Sequence, residues 1–237
     1  MKLHKKILSW VVDYGYMIHG SVTSLIYHKP PKHYLNYVLE NKVPVILVPG
    51  ILGKWGFMKT LGDKISLAGH PVYIVPELGY NLFKIPDSAK KLRDVIEKID
   101  TKKDNLKGVI LIAHSKGGLI GKYFLAHQNQ DNKVLGLISV ATPFSGSSMA
   151  KLLPLDSIQE LTTDSKIILD LEKHTEVNNK IISICPEYDN HVWAEKGSYL
   201  DGAKNIGVNV HGHHKIIFDK NVEDIVLKYI EEITLQN

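Results

Sequence analysis

The sequence predicts an α/β protein: a mostly parallel central sheet, helices on both of its faces and a small helical cap. Two observations carry the prediction. From residue 43 onward, short and wholly apolar runs alternate with amphipathic stretches, the pattern of strands buried on both faces and helices that cover them. One of those runs, Val109 to Ala113, passes through His114-Ser115-Lys116-Gly117 straight into a helical pattern, with no loop between. That layout is a sharp strand-to-helix turn that lifts a serine hydroxyl clear of the sheet. The positions two before and two after the serine must be small, and Ala113 and Gly117 meet that demand.

The elements follow in order. Residues 5 to about 27 carry Ile7, Val11, Tyr14, Ile18 and Leu25 near helical spacing and read as an amphipathic helix, with Lys2, Lys5 and Lys6 at its start. The basic, apolar beginning resembles a signal peptide, but Asp13 interrupts the run and no small-x-small cleavage site follows. Lys29-Pro30-Pro31-Lys32 reads as a linker, so residues 1–42 are expected to form an N-terminal helical segment and residues 43–237 the main domain. Strands are expected at Pro44–Val48, Pro71–Val75, the run before Ser115, Val134–Val140, Lys180–Cys185 and Asn205–Val210. Helices are expected at Leu61–Ala68, Ser88–Ile99, about Lys116–His127 and from about Asp219, as N-cap, to Ile233. Residues 144–179 are helical and partly apolar in pattern, the place for a cap over a site.

Bulk composition narrows the function classes. The chain has 237 residues, enough for one domain with a substantial core, and a mild net charge of +4. Its lysines are scattered, with no basic stripe interleaved with aromatics, so no nucleic-acid partner is expected. The single cysteine, Cys185, excludes an internal disulfide and reads as a small core residue. Lack of disulfides suits a cytoplasmic or membrane-associated protein and does not exclude secretion.

A serine hydroxyl is a weak nucleophile. It needs a base, and the base needs a third group to hold its tautomer and balance its charge. In a strand–serine–helix arrangement the chain order is Ser, acid, His, with both partners on loops beyond the C-terminal ends of strands. Asp189 fits the acid, with Glu187 second, because both follow the strand that Pro186 is expected to close. For the base, His191 is too near Asp189 to come from a separate loop. His211, His213 and His214 follow the last strand, and Gly212 permits a tight turn there; the residues alone leave His213 and His214 open. Oxyanion donors are expected from the backbone N–H of Lys116 and of Ile51, in the Pro49–Gly53 loop. The Lys116 cation opposes the helix dipole, and its side chain is expected to point to water, with pairing to an acidic loop residue or attraction of an anionic substrate as the alternatives.

With these residues in view, the chain resembles the small bacterial triacylglycerol lipases and esterases of the α/β-hydrolase superfamily, notably the minimal Bacillus-type lipases. Ala113-His114-Ser115-Lys116-Gly117-Gly118 is similar to their elbow, and Thr142-Pro143-Phe144-Ser145-Gly146 to their Thr-Pro-x-x-Gly segment. Asp189-Asn190-His191-Val192 looks like their Asp-x-x-Val acid loop. Leu200–Asn205 and Gly212–Ile217 are similar to their Leu-x-Gly-Ala-x-Asn and Gly-His-x-x-Leu-Leu ending. The resemblance runs from about Val43 to the C-terminus. Residues 1 to about 42 have no counterpart in the minimal lipases. It implies an α/β-hydrolase fold, a Ser115–His213–Asp189 triad and an acyl-ester substrate, with no metal or organic cofactor. It thereby selects His213 over His214. Two departures stand out: Val48-Pro49-Gly50 replaces Val-His-Gly, and Lys116 replaces the usual Met or Gln. The expected function is a serine-dependent carboxylic-ester hydrolase. A thioesterase or acyltransferase with the same triad, and a non-catalytic binding protein on this fold, are the alternatives. Leu152, Leu153, Leu155, Ile158 and Leu161 are candidates for acyl-chain contact, and residues 5–27 for a peripheral membrane contact.

Overall fold

The computed structural model describes residues 3–100 and 108–236. Lys2, counted with the basic start of the chain, lies outside the described residues. The elements run α1 (Leu3–Ile26), α2 (His33–Asn36), β1 (Val45–Val48), a 3₁₀ turn at Trp55–Met58, α3 (Lys59–Leu67), β2 (Val72–Ile74) and α4 (Ile85–Asp100). They continue with β3 (Val109–His114), α5 (Lys116–His127), β4 (Val134–Val140), α6 (Asp156–Gln159) and α7 (Lys166–Lys173). Last come β5 (Ile181–Tyr188), β6 (Lys204–His211), a 3₁₀ turn at Lys215–Phe218 and α8 (Lys220–Gln236).

The strands form one six-stranded sheet in the order β2-β1-β3-β4-β5-β6, every pair parallel. The central strands β1, β3 and β4 bury both faces, which is why they read as unbroken apolar runs, whereas the edge strand β6 is exposed along much of its length. In β3, Val109, Leu111 and Ala113 face a core with α4 and α5, while Ile110 and Ile112 face a second core with α3 and α8. β1 divides likewise, Ile46 and Val48 to one side, Val45 and Leu47 to the other. α8 starts where Asp219 Oδ1 accepts from the N–H groups of Asn221 and Val222, so Asp219 caps it.

Two expectations need correction. First, Pro186 does not close β5, which runs on to Tyr188. β4 pairs with β5 only as far as Ile184, so Pro186 sits where the strand has β6 as its sole neighbour and its missing N–H is tolerated. Second, the cap region is less helical than its pattern: a 3₁₀ turn at Ser148–Leu152, the single turn α6 and the short α7. Pro154 and the Thr162–Ser165 stretch break it.

The apolar stripe of α1 is divided: Tyr14 lines the cavity, while its other members face outward. Ile7, Val11, Ile18 and Leu25 are 55–65% exposed, and the buried residues of α1 are Asp13, Gly20 and Ser24. The inward face is built from small and polar residues. A Cβ on Gly20 would stand 2.5 Å from the Phe57 ring, so glycine lets α1 lie directly on the Trp55–Met58 turn. Among the described residues no helix is long and apolar enough to cross a membrane.

Candidate active site

Four loops meet beyond the C-terminal ends of the strands. Pro49–Gly53 follows β1, Ser115 follows β3, Asp189 follows β5 and the 212–214 loop follows β6. Strand order reverses between β1 and β3, and in parallel sheets the crevice at such a reversal is where ligands bind.

Ser115 stands on a strained turn, φ 52° and ψ −124°, between β3 and α5. Its N–H donates to Val140 O, and Thr142 Oγ1 donates to its carbonyl. Crowding explains the small neighbours: a Cβ on Gly117 would stand 2.2 Å from Val48 O. The Ser115 hydroxyl lies 2.8 Å from His213 Nε2, and His213 Nδ1 lies 2.8 Å from Asp189 Oδ2. With the ring proton on Nδ1, His213 donates to Asp189 and accepts from Ser115. Asp189 Oδ1 accepts from the N–H groups of His191 and Val192, which fixes the carboxylate at the strand end. All three side chains are buried, and Ser115 and His213 line a cavity of about 460 Å³. Tyr14, Met17, Leu153, Ile158, Leu161 and Val192 give it apolar walls.

The lecithin:cholesterol acyltransferase family profile matches residues 86–210, just over half of the chain. The chain belongs to the lecithin:cholesterol acyltransferase family. Solved structures agree on the fold. The mature Bacillus licheniformis lipase BlEst2 is similar at 17% identity and TM-score 0.67, over 83% of this chain and 95% of that one. Aspergillus fumigatus lipase B is similar at 18% identity and TM-score 0.70, over 85% of this chain but 55% of its own. The metagenomic carboxyl esterase MGS0156 matches at 15% identity and TM-score 0.63, over 82% and 77%. At such identities these likenesses show the α/β-hydrolase fold and nothing finer. No significant match is found among curated protein sequences. The wider lipase and esterase likeness therefore holds, whereas nothing singles out the minimal Bacillus-type enzymes.

This family member holds its histidine in an unusually imidazole-rich setting. Burial alone would lower the His213 pKa, but the facing Asp189, with Asp13 further off, raises it above its ordinary value. Burial would raise Asp189, and the opposed His213 and the two backbone donors outweigh that and hold it below the carboxylate range. His114 and His191, by contrast, are pushed down to about 3 by burial and by the neighbouring imidazoles, so both are neutral at physiological pH. His114 Nε2 donates to His213 O at 2.9 Å, and the Asn190 side-chain oxygen accepts from His213 N–H at 3.0 Å. The His191 ring lies 5.1 Å from the His213 ring.

The other named residues fall as follows. Ile51 lies beside the cavity with Gly50, and a Cβ on Gly50 would stand 3.0 Å from the Ser115 Cβ. The Lys116 N–H is at the first position of α5, where helix N–H groups have no intrahelical partner. Glu187 is turned to His211, 3.5 Å away. Cys185 is half-buried, with its thiol pushed up by burial. The leucines of the cap divide: Leu152, Leu153 and Leu155 are exposed, Ile158 and Leu161 buried.

Lys116 corrects an expectation, because its side chain does not reach water. It is fully buried, and Nζ donates to Phe83 O at 2.6 Å, Ser157 O at 3.2 Å and Asn81 O at 3.4 Å. Burial lowers its pKa to about 8 against the opposing pull of Glu160. The ammonium thus ties the loop before α4 to α6.

Sequence reasoning missed Asp13. It is fully buried, and Oδ1 accepts from the N–H groups of His214 and Lys215 at 2.7 and 2.9 Å, while Oδ2 accepts from His214 Nδ1 at 2.8 Å. A lone carboxylate inside an apolar helix was the available signal. It was treated as an interruption rather than as a side chain with a partner.

Proposed function

We propose that this chain is a serine-dependent carboxylic-ester hydrolase working through an acyl-enzyme. The observation that carries the reading is the continuous hydrogen-bonded chain from Ser115 through His213 to Asp189 at an apolar cavity. In this mechanism Ser115 Oγ attacks the ester carbonyl carbon and its proton passes to His213 Nε2. The backbone N–H groups of Ile51 and Lys116 receive the oxyanion, the electrostatic contribution that usually dominates such reactions. His213 then protonates the departing alcohol. Water, deprotonated by the same imidazole, attacks the acyl-enzyme and restores Ser115. Asp189 stays ionised, keeps the proton on Nδ1 and balances the imidazolium. The acyl chain occupies the apolar walls of the cavity, where Leu153, Ile158 and Leu161 supply contact. The unpaired Cys185 goes with a cytoplasmic setting or the cytoplasmic face of a membrane.

The family match favours a second reading, in which an alcohol rather than water accepts the acyl group. Both readings share every step up to the acyl-enzyme. A p-nitrophenyl ester panel of increasing chain length tests the first. Hydrolysis by the full chain, lost in Ser115→Ala, supports it. Unchanged hydrolysis in Ser115→Ala overturns it. Repeating the assay with added alcohol separates the two: acyl ester formed faster than free acid identifies transfer.

A further inference from the structure

α1 has two faces with different tasks. Its protein-facing side gives Asp13 to the loop beside His213, and Tyr14, Met17 and Ser21 at the edge of that side line the cavity. Its outer face carries Leu3, Ile7, Val11, Ile18, Val22 and Leu25, all between about half and three-quarters exposed. Proteins that stay dispersed in water rarely display so long an apolar stripe, and one that does marks a contact surface. Within the helix the exposed charges are Lys5 and Lys6, and its one carboxylate, Asp13, is buried. The outer face is therefore apolar along its length, and the N-terminal turn of the helix adds two exposed lysines beside it rather than on it. That combination fits the plane of an anionic lipid surface, apolar side chains entering the acyl boundary and lysines meeting the headgroups. No described helix can cross a bilayer, so α1 would lie on the surface rather than span it.

We propose that the outer face of α1 docks this protein on an anionic lipid surface. α1 forms one wall of the cavity, and Tyr14 in that wall shares the side of the helix that carries Ile7 and Ile18, so docking brings the cavity to the lipid surface. Exposed Leu52, Leu153 and Trp193 by the site extend the apolar surface beyond the helix. The proposal deepens the acyl-ester reading by naming where the substrate lies, and it rests on that reading for the substrate's chemistry.

The test uses the full chain and its Ile7→Glu/Val11→Glu/Ile18→Glu variant. These three side chains point to solvent, so their replacement leaves the core untouched. Co-sedimentation is measured with mixed phosphatidylcholine–phosphatidylglycerol vesicles and with phosphatidylcholine vesicles, alongside hydrolysis of a short soluble ester. The expected result is binding to the mixed vesicles, weakened about tenfold or more in the variant and on pure phosphatidylcholine, with soluble-ester hydrolysis unchanged. Absence of vesicle binding, or binding undiminished in the variant, overturns the proposal. Equal binding to both vesicle types overturns its anionic part. A dimer in solution that the variant dissociates assigns the face to a second copy and also overturns it. Absence of ester hydrolysis by the full chain, with its vesicle binding present and weakened in the variant, would count against the enzymatic reading alone.

Discussion

The carboxylate of Asp13, on the N-terminal helix, holds His214 by both its backbone N–H and its imidazole Nδ1, at 2.7 and 2.8 Å across 201 positions of sequence. His214 follows His213 directly, so the loop that aims the base at Ser115 is anchored from a helix outside the region of lipase resemblance. Glycine at 212 permits the contact, since a Cβ there would stand 2.4 Å from Asp13 Oδ1. Burial would raise the Asp13 pKa, but its bonds to His214 and Lys215 outweigh it and hold the carboxyl far below its ordinary range.

Replacing Asp13 by Asn removes the charge and leaves a side chain that can satisfy only some of these donors. Charge-assisted hydrogen bonds of this type contribute about 1.5–3 kcal/mol each, so Asp13→Asn is expected to lower stability by that order in a urea titration. Looser aim of His213 is expected to lower kcat by about 10- to 100-fold with little change in KM. The negative charge at position 13 also helps raise the His213 pKa, so the acidic limb of the pH–rate profile should move to lower pH in the variant. A helix that merely packs on the core would lose stability without moving that limb.

The pH dependence of the parent follows from the same imidazole. Only neutral His213 can take the Ser115 proton, so activity falls as pH drops through the His213 pKa. That pKa is raised above its ordinary 6.5. The acidic limb of kcat/KM is therefore expected above pH 6.5. A limb well below 6.5 would mean that another group controls the rise, or that Asp189 is not ionised beside His213.

Lys116 yields a prediction that its burial reverses. Had its side chain pointed to water, Lys116→Met would keep the backbone donor and most activity. Instead the variant strands the carbonyls of Phe83, Ser157 and Asn81 in the core. Leaving such groups unsatisfied costs about 1–3 kcal/mol. Lys116→Met is expected to melt lower by that order and to lose activity equally on neutral and anionic esters. A defect confined to anionic substrates would instead assign the ammonium to substrate binding.

Much of the fold was legible because both faces of this sheet are covered. Runs such as Val109–Ala113 and Val134–Val140 announce themselves when every side chain is buried. Ser115 was legible because strand, serine and helix are contiguous, and Asp189 because it stands just past a strand. The choice of His213 needed the family pattern, since His214 has the same neighbours in sequence and differs only in which carboxylate it faces. Asp13 and the buried Lys116 were not legible, because each takes its meaning from partners far away in sequence. α1 was legible as a helix, but periodicity identifies an apolar face without saying whether protein covers it. Here Gly20 and Ser24 lie against the Trp55–Met58 turn and the leucine-rich side faces out.

The central claim is that Ser115 is a nucleophile activated by His213. Treatment with a fluorophosphonate, followed by peptide mass spectrometry, measures it most directly, because only an activated hydroxyl displaces the fluoride and forms the oxygen–phosphorus bond. The account predicts a single adduct on Ser115, formed at least 10³-fold more slowly in His213→Ala and absent in Ser115→Ala. An adduct on another residue, or equal labelling of the His213→Ala protein, would contradict it.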